Sequence, residues 1–305
     1  MPNIKVNNTY NRLYSSAARY GDYELIRVSA PANHVLHAEL NRPEKRNAIS
    51  FELFREIGAL FNEITADQHC RAVVLSGSGQ MFCAGIDYGD MLKTMGSLVS
   101  GGGGENVPNQ RDDIASRSKL IKNWIAQLQS PFNAIAKCPK PVIAAIHSGC
   151  IGAGVDMISA VDVRYASRDA YFSIREVGIG MAADVGTLQR LPKIVGNDSL
   201  VREIAFTGED LPAQEAKDFG LVSRLYESPE ACIQEALNLA KRISTRSPVA
   251  VQGTKISLNY SRDHTVEDGL EFMQIWNMSM LQSEDLITAV SAVANKDESP
   301  EFADL

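Results

Sequence analysis

Residues 140–167 read KPVIAAIHSGCIGAGVDMISAVDVRYAS. The apolar run 141–146 ends in His-Ser-Gly and has the length of a buried strand. The glycine-rich segment GCIGAGVD (149–156) follows it, and a further strand, 161–165, follows the stretch 151–160. Strands separated by glycine turns and short helical stretches are the pattern of an α/β fold with a layered sheet. The rhythm extends towards the N-terminus. Residues 23–29 and 34–40 read as two short strands around the turn Ala30-Pro31-Ala32-Asn33. Ser50 then caps a helix whose apolar face is Phe54, Ile57, Phe61 and Ile64. Residues 72–75 form another buried strand, ending in SGSG.

Beyond residue 228 the pattern turns helical, with helices expected over 231–244, 248–260 and 266–295. Met273, Trp276, Met278, Met280 and Leu281 lie on the last, as packing residues. The stretch 97–111 (SLVSGGGGENVPNQR) reads as a mobile loop, because four consecutive glycines anchor no regular structure cheaply. A phosphate cradle there would need a strand before it and a helix directly after, and neither is evident.

Composition narrows the function classes. The chain has 305 residues, 45% hydrophobic and 22% charged, an ordinary globular profile that suggests one large domain or one domain with an appendage. A net charge of -7 argues against a nucleic-acid surface, though a few local cations can still hold a small anion. Five cysteines form no CxxC pair, which suits a reducing compartment, and the five histidines show no HExxH spacing, so no metal site is expected. No apolar run reaches the length of a membrane span. Residues 1–21 carry Lys5, Arg12 and Arg19 with no acid, and read as a flexible polar extension with a weak likeness to a transit peptide. The final Ala303-Asp304-Leu305 has the small-x-Leu outline of a peroxisomal tripeptide, with Asp where a base is expected.

The candidate chemistry lies in three glycine-rich turns, each following a strand: MFCAGID (81–87), GCIGAGVD (149–156) and REVGIGMAADVG (175–186). Gly152-Ala153-Gly154 lacks the third glycine of a dinucleotide fingerprint, and no GxSxG elbow is present. A turn entering a helix exposes N–H groups with no intrahelical partner, and two such turns facing one point can make an oxyanion hole. Ile86 and Ala153 are the candidate donors; turns that merely need small residues are the plainer alternative. Glu176 and Asp184 are two carboxylates in an otherwise small and apolar run, where burial is costly unless they are paired, hydrogen-bonded or neutral. Asp156 and Asp184 could also serve only as helix starts.

Four motifs in order resemble the crotonase superfamily, also called the enoyl-CoA hydratase/isomerase family: LNRPEKRNAIS (40–50), SGSGQMFCAGID (76–87), residues 140–167 and FSIREVGIGMAADVGTLQRLPKIVG (172–196). The likeness spans roughly residues 22–300. Within the family, Asp156, Glu176 and Asp184 together with SPVAVQGTKISLNYSRDH (247–264) most resemble the Δ3,5-Δ2,4-dienoyl-CoA isomerases.

The resemblance implies an α/β crotonase spiral of repeated ββα units over 22–225 and a helical trimerisation tail over 226–305. It implies an acyl-CoA substrate, no cofactor beyond that substrate, and a homotrimer or homohexamer. It places the thioester oxygen between the N–H groups of Ile86 and Ala153, where the family usually has Gly at the second position. It assigns proton transfer to Asp156, Glu176 and Asp184, with Glu176 at carbon 2 and Asp184 favoured at carbon 6. Burial and mutual repulsion should raise the proton affinity of these acids. For the CoA and the acyl thioester it points to Arg42, Lys45, Arg46, Ala48, Ala84, Gly85, Asp87, Tyr88 and Lys255, with Asp87 expected chiefly to hold its turn and Tyr88 and Met91 to line the acyl tunnel. A peroxisomal or mitochondrial-matrix enzyme of fatty-acid β-oxidation follows, the peroxisome favoured. The alternatives are a 2-enoyl-CoA hydratase, using an acid pair at positions 156 and 176, and a non-catalytic scaffold or RNA-binding homologue.

Overall fold

Apolar runs set the strand pairing. The computed structural model describes residues 20–99, 113–296 and 300–305, so the N-terminal extension expected over 1–21 and the loop expected over 97–111 lie largely outside the described residues. In chain order come β1 (Ile26–Ala32), β2 (Val35–Leu40), α1 (Phe51–Ala66), β3 (Ala72–Gly77), α2 (Tyr88–Val99), α3 (Ile114–Lys137), β4 (Val142–Ile146), β5 (Gly149–Ile151) and α4 (Ala153–Ser159). Next are β6 (Val163–Ser167), β7 (Tyr171–Ser173), a 3-10 turn (Arg175–Ile179), α5 (Thr187–Val195), α6 (Asp198–Thr207), β8 (Leu211–Pro212), α7 (Ala213–Asp218) and β9 (Arg224–Tyr226). Four helices close the chain: α8 (Pro229–Ser244), α9 (Pro248–Ser261), α10 (Val266–Met280) and α11 (Glu284–Asn295).

The larger sheet has the order β1-β2-β3-β4-β6-β9, parallel throughout except for the β1–β2 hairpin. A smaller sheet, β5-β7-β8, stands beside it. Each repeat sends one strand to each sheet before a helix: β4 then β5 then α4, and β6 then β7 then the turn and α5. The segment after β3 takes part in the same way, through a parallel bridge between Cys83 and Cys150. This is the expected ββα spiral.

The large sheet is buried on both faces, which explains its continuous apolar strands. Val73, Leu75, Val142 and Ala144 join the main core with α1 and α3, while Val74, Ile143 and Ala145 face Cys232, Ala236 and Ala240 of α8. The first helix beyond residue 226 is therefore a layer of the sheet's own core.

Several local expectations shift. The first strand starts at Ile26 and runs through Pro31 to Ala32, and the turn shrinks to Asn33 and His34, with His34 at φ 61. Proline is tolerated because β1 is an edge strand and its register slips between Ser29 and Ala32. The Ser50 cap is as expected, its hydroxyl accepting from Leu53 N. The stretch expected to be loop from residue 97 is still helical to Val99. Helix α3 was not foreseen; Asp113 caps it by accepting from Ser116 N. The single helix expected over 266–295 is two, broken at residues 281–283 before the acidic first turn Glu284-Asp285, a helix start by charge.

The three glycine turns leave the ends of β3, β5 and β7. Parallel pairing brings those ends to the same side, where ligands bind in open α/β sheets.

Candidate active site

Two of those turns interlock through backbone hydrogen bonds. Cys83 N donates to Gly149 O and Ile151 N to Cys83 O, both at 3.0 Å. On the other side, Ile49 N donates to Gly85 O (2.7 Å) and Asp87 N to Ile49 O (2.9 Å). This register leaves the N–H of Ile86 without a backbone or side-chain acceptor among the described residues. Ala153 is the first residue of α4, so its N–H also has no intrahelical partner. The two turns touch closely: a β-carbon on Gly85 would lie 3.9 Å from Ala153 N and 3.1 Å from Ile151 O. Gly85 (φ 94) and Gly152 (φ 52) take conformations that L side chains avoid. The positive φ falls on Gly152, and Ala153 is already helical, so its β-carbon leaves the donor undisturbed.

Both donor residues line one narrow apolar pocket. Ile86, Ala153, Ala84, Gly85, Tyr88, Met91, Glu176 and Asp184 all line it, together with Trp124 and Leu128 from α3. The Glu176 carboxylate sits over the Gly152 turn, where a β-carbon on Gly152 would be 3.0 Å from its Oε1. Its Oε2 is buried without a hydrogen-bond partner among the described residues. Burial, then repulsion from Asp156 and Asp184, pushes the Glu176 carboxyl up to about 7. Burial also raises the Asp184 carboxyl. Gln129 Nε2 donates to the Asp184 carbonyl at 2.7 Å, holding that residue on the pocket wall.

Asp156 is placed differently. It is fully buried in α4 and does not line the pocket. Its Oδ1 accepts from Thr187 N at 2.6 Å, so it caps α5 rather than its own helix, and its Oδ2 has no hydrogen-bond partner among the described residues. Burial raises this carboxyl to about 6, against the pull of its hydrogen bonding from Thr187.

The residues expected at the CoA separate into committed and available groups. Arg42 Nη1 donates to Asp87 Oδ2 (2.7 Å) and to Ala48 O (2.9 Å), so its guanidinium braces the turn instead of standing free for a phosphate. Asp87 Oδ1 also accepts from Gly89 N at 3.0 Å, as expected of a residue holding its turn, and its carboxyl lies below the usual range because of Arg42. Lys45 and Arg46 are exposed, and Tyr88 is 52% exposed at the pocket rim. Lys255 does not reach the pocket: it is 5% exposed, and its ammonium donates to Asp162 Oδ2 (2.7 Å) and Lys140 O (3.0 Å). A cation buried in such a pair tethers α9 to the sheet.

Three polar residues here escaped the sequence reading. Asn47, fully buried at φ 53, accepts from Arg42 N and donates to Ser78 O and Met81 O, tying two of the motifs together. The other two are Thr187 and Arg190, behind the acids. Asn in a left-handed turn is a readable signal; a threonine and an arginine on a short helix are not.

The chain matches the enoyl-CoA hydratase/isomerase family over residues 31–303. It is 50% identical over 278 residues to the mitochondrial Delta(3,5)-Delta(2,4)-dienoyl-CoA isomerase of Rattus norvegicus, covering 91% of this chain and 82% of that one. It is 41% identical to the peroxisomal Delta(3,5)-Delta(2,4)-dienoyl-CoA isomerase of Arabidopsis thaliana, over 94% of this chain and 98% of that one. Among solved structures, enoyl-CoA hydratase from Bacillus anthracis superposes with a TM-score of 0.79 at 25% identity, over 92% of this chain and 99% of the other.

Proposed function

The chain belongs to the enoyl-CoA hydratase/isomerase family, and on that premise we propose that it converts 3,5-dienoyl-CoA into 2,4-dienoyl-CoA in fatty-acid β-oxidation. One observation carries the reading: two acids with raised proton affinity and two unpartnered N–H groups line the same apolar pocket. The thioester oxygen accepts from Ile86 N–H and Ala153 N–H. Glu176 takes a proton from carbon 2, and the electron pair spreads into a dienolate whose charge rests largely on that oxygen. Each oxyanion donor is worth about 3–4 kcal/mol to such a species. Asp184 delivers a proton to carbon 6, and the dienolate collapses to the conjugated 2,4-diene. The scheme uses only these side chains and N–H groups, with coenzyme A as part of the substrate. Ala84 and Gly85 line the pocket, Ala48 stands beside it through its carbonyl's bond from Arg42, and the exposed Lys45 and Arg46 are the cations left to meet the CoA phosphates.

Assembly fits the same reading. The closing helices expose Leu258, Leu270, Ile275, Met278, Ile287, Val290 and Val293. A run of this size on one region is what a trimer, or a hexamer of two trimers, would cover. No helix among the described residues is long and apolar enough to cross a membrane. The compartment is the peroxisome or the mitochondrion, the two named for its relatives.

Hydration is the competing reading. It needs a second acid facing a water beside Glu176, whereas Asp156 is buried behind the wall and Asp184 occupies the pocket. Purified protein offered 3,5-octadienoyl-CoA and crotonyl-CoA in parallel separates the two. Growth of 2,4-diene absorbance from the first, with slow or no hydration of the second, is expected; the reverse pattern overturns the proposal. Across pH, kcat/KM for the diene should be bell-shaped, because both carboxyls are raised and the active pair holds one proton. The acid limb marks a second proton going onto the pair, and the alkaline limb marks the last one coming off.

A further inference from the structure

Around Asp156, four buried polar atoms have no hydrogen-bond partner among the described residues: Asp156 Oδ2, Glu176 Oε2, Thr187 Oγ1 and Arg190 Nη1. Buried polar groups are normally satisfied by protein or by ordered water, so four such atoms on residues that each interact with Asp156 call for an explanation. Thr187 gives its N–H to Asp156 Oδ1 and turns its hydroxyl towards the same carboxylate without closing a hydrogen bond. Arg190 lies close enough to Asp156 for the two charges to act on each other. Its Nη2 donates to Asn133 Oδ1 at 2.6 Å, and its Nη1 takes the place a β-carbon on Gly186 would fill. The set is complementary: an acceptor, a hydroxyl and a cationic donor, the partners one water molecule needs.

Arg190 also forms the wall of a second cleft of about 520 Å³ on the far side, shared with Gly186, Gln129 and Asn133. Val185 belongs to the walls of both this rear cleft and the catalytic pocket. One residue therefore borders both openings, next to Asp184 in the chain.

We propose that Asp156, Thr187 and Arg190 hold a water in a rear relay, through which Glu176 exchanges its proton with solvent while the acyl chain fills the front of the pocket. The inference rests on the isomerase reading, because that chemistry creates the need. Breaking the C2–H bond leaves its electron pair in the dienolate and its proton on Glu176; Asp184 then spends its own proton at carbon 6. The turnover ends with the two carboxyls in exchanged states, and the bound chain covers the front of both. In the relay, the proton on Glu176 passes to ionised Asp156, then to the water and out to solvent, which leaves both Glu176 and Asp156 ionised again, while Asp184 takes its replacement proton from solvent at the front once the product has left. Run in reverse before carbon 6 is protonated, the same steps carry a solvent proton to Glu176. One proton leaves at the rear and one enters at the front, so charge balances over the turnover. Arg190 donates hydrogen bonds and keeps its protons, so it is a positioning residue, as is Thr187.

The test is an internal ratio. In D2O, enzyme and 3,5-octadienoyl-CoA are quenched early, and deuterium at carbon 2 of the recovered substrate is compared with 2,4-diene formed, with buffer-only exchange subtracted. For the parent protein this ratio is expected to be substantial. In Thr187→Val and in Arg190→Met it should fall at least about tenfold, and in Thr187→Ser, which restores the hydroxyl, it should recover. A structural defect alone lowers exchange and isomerisation together and leaves the ratio unchanged. An unchanged ratio in both variants, or no exchange above buffer in the parent protein, overturns the relay. If the parent protein forms no diene at all, it is the isomerase reading that fails.

Discussion

Glu176→Gln is expected to lower kcat for diene isomerisation by about 10²- to 10⁴-fold, the usual worth of a positioned general base, and to make the folded protein more stable above neutral pH. The two effects share one cause. Burial raises the proton affinity of Glu176 to about 7, so ionising it inside the fold costs more than ionising it in the unfolded chain. Its stabilising share is complete below the unfolded carboxyl range, near pH 4, and is lost as pH rises through about 7. Glutamine has no such dependence. At pH 8 the variant should therefore be more stable, by on the order of 1–2 kcal/mol once its imperfectly paired amide is allowed for. At pH 4 the two melting curves should nearly coincide. Loss of activity with an equal loss of stability at pH 8 would mean that Glu176 serves the fold more than the chemistry.

Gly152→Ala should be nearly as damaging to catalysis, for a geometric reason. Gly152 stands at φ 52 and ψ -117 immediately before Ala153, so it sets the direction of that residue's N–H. A β-carbon there is strained by about 1–3 kcal/mol, and it would stand 3.0 Å from Glu176 Oε1. The turn must shift or the carboxylate must move, and either spoils the alignment of donor and base. Removing one oxyanion donor costs about 10²–10³ in kcat in measured systems. A loss of that size in Gly152→Ala, with a saturated acyl-CoA still bound, is the expected outcome of single-turnover kinetics. Near-normal kcat would show that Ala153 N–H does not hold the developing charge.

What the sequence disclosed depended on how locally each feature is built. The glycine turns and their carboxylates were legible because donors and acids lie within short stretches that follow recognisable strands. Asp156 was legible as a residue but not in its placement, since its partner Thr187 is 31 positions away. The pairing of Lys255 was hidden for the same reason: nothing near it announces Asp162, 93 positions earlier, as the carboxylate it meets. Arg190 sits on a short amphipathic helix where an arginine is unremarkable, and only the fold sets it between Asn133 and Gly186. Helix α3 was missed because Pro131 lies inside it and its buried positions crowd into the C-terminal half, from Leu128 to Ile135. The break at 281–283 carries no glycine or proline, so periodicity ran through it.

The division of labour between Glu176 and Asp184 is the centre of the account, and deuterium exchange at carbon 2 reads it most directly. Asp184→Asn keeps the base and removes the acid. In D2O it is expected to incorporate deuterium at carbon 2 of recovered 3,5-octadienoyl-CoA while 2,4-diene formation falls at least about 100-fold. Glu176→Gln should lose exchange and diene formation together. Retention of carbon 2 exchange by Glu176→Gln with its loss in Asp184→Asn would reverse the roles, and undiminished diene formation by Asp184→Asn would contradict the mechanism outright.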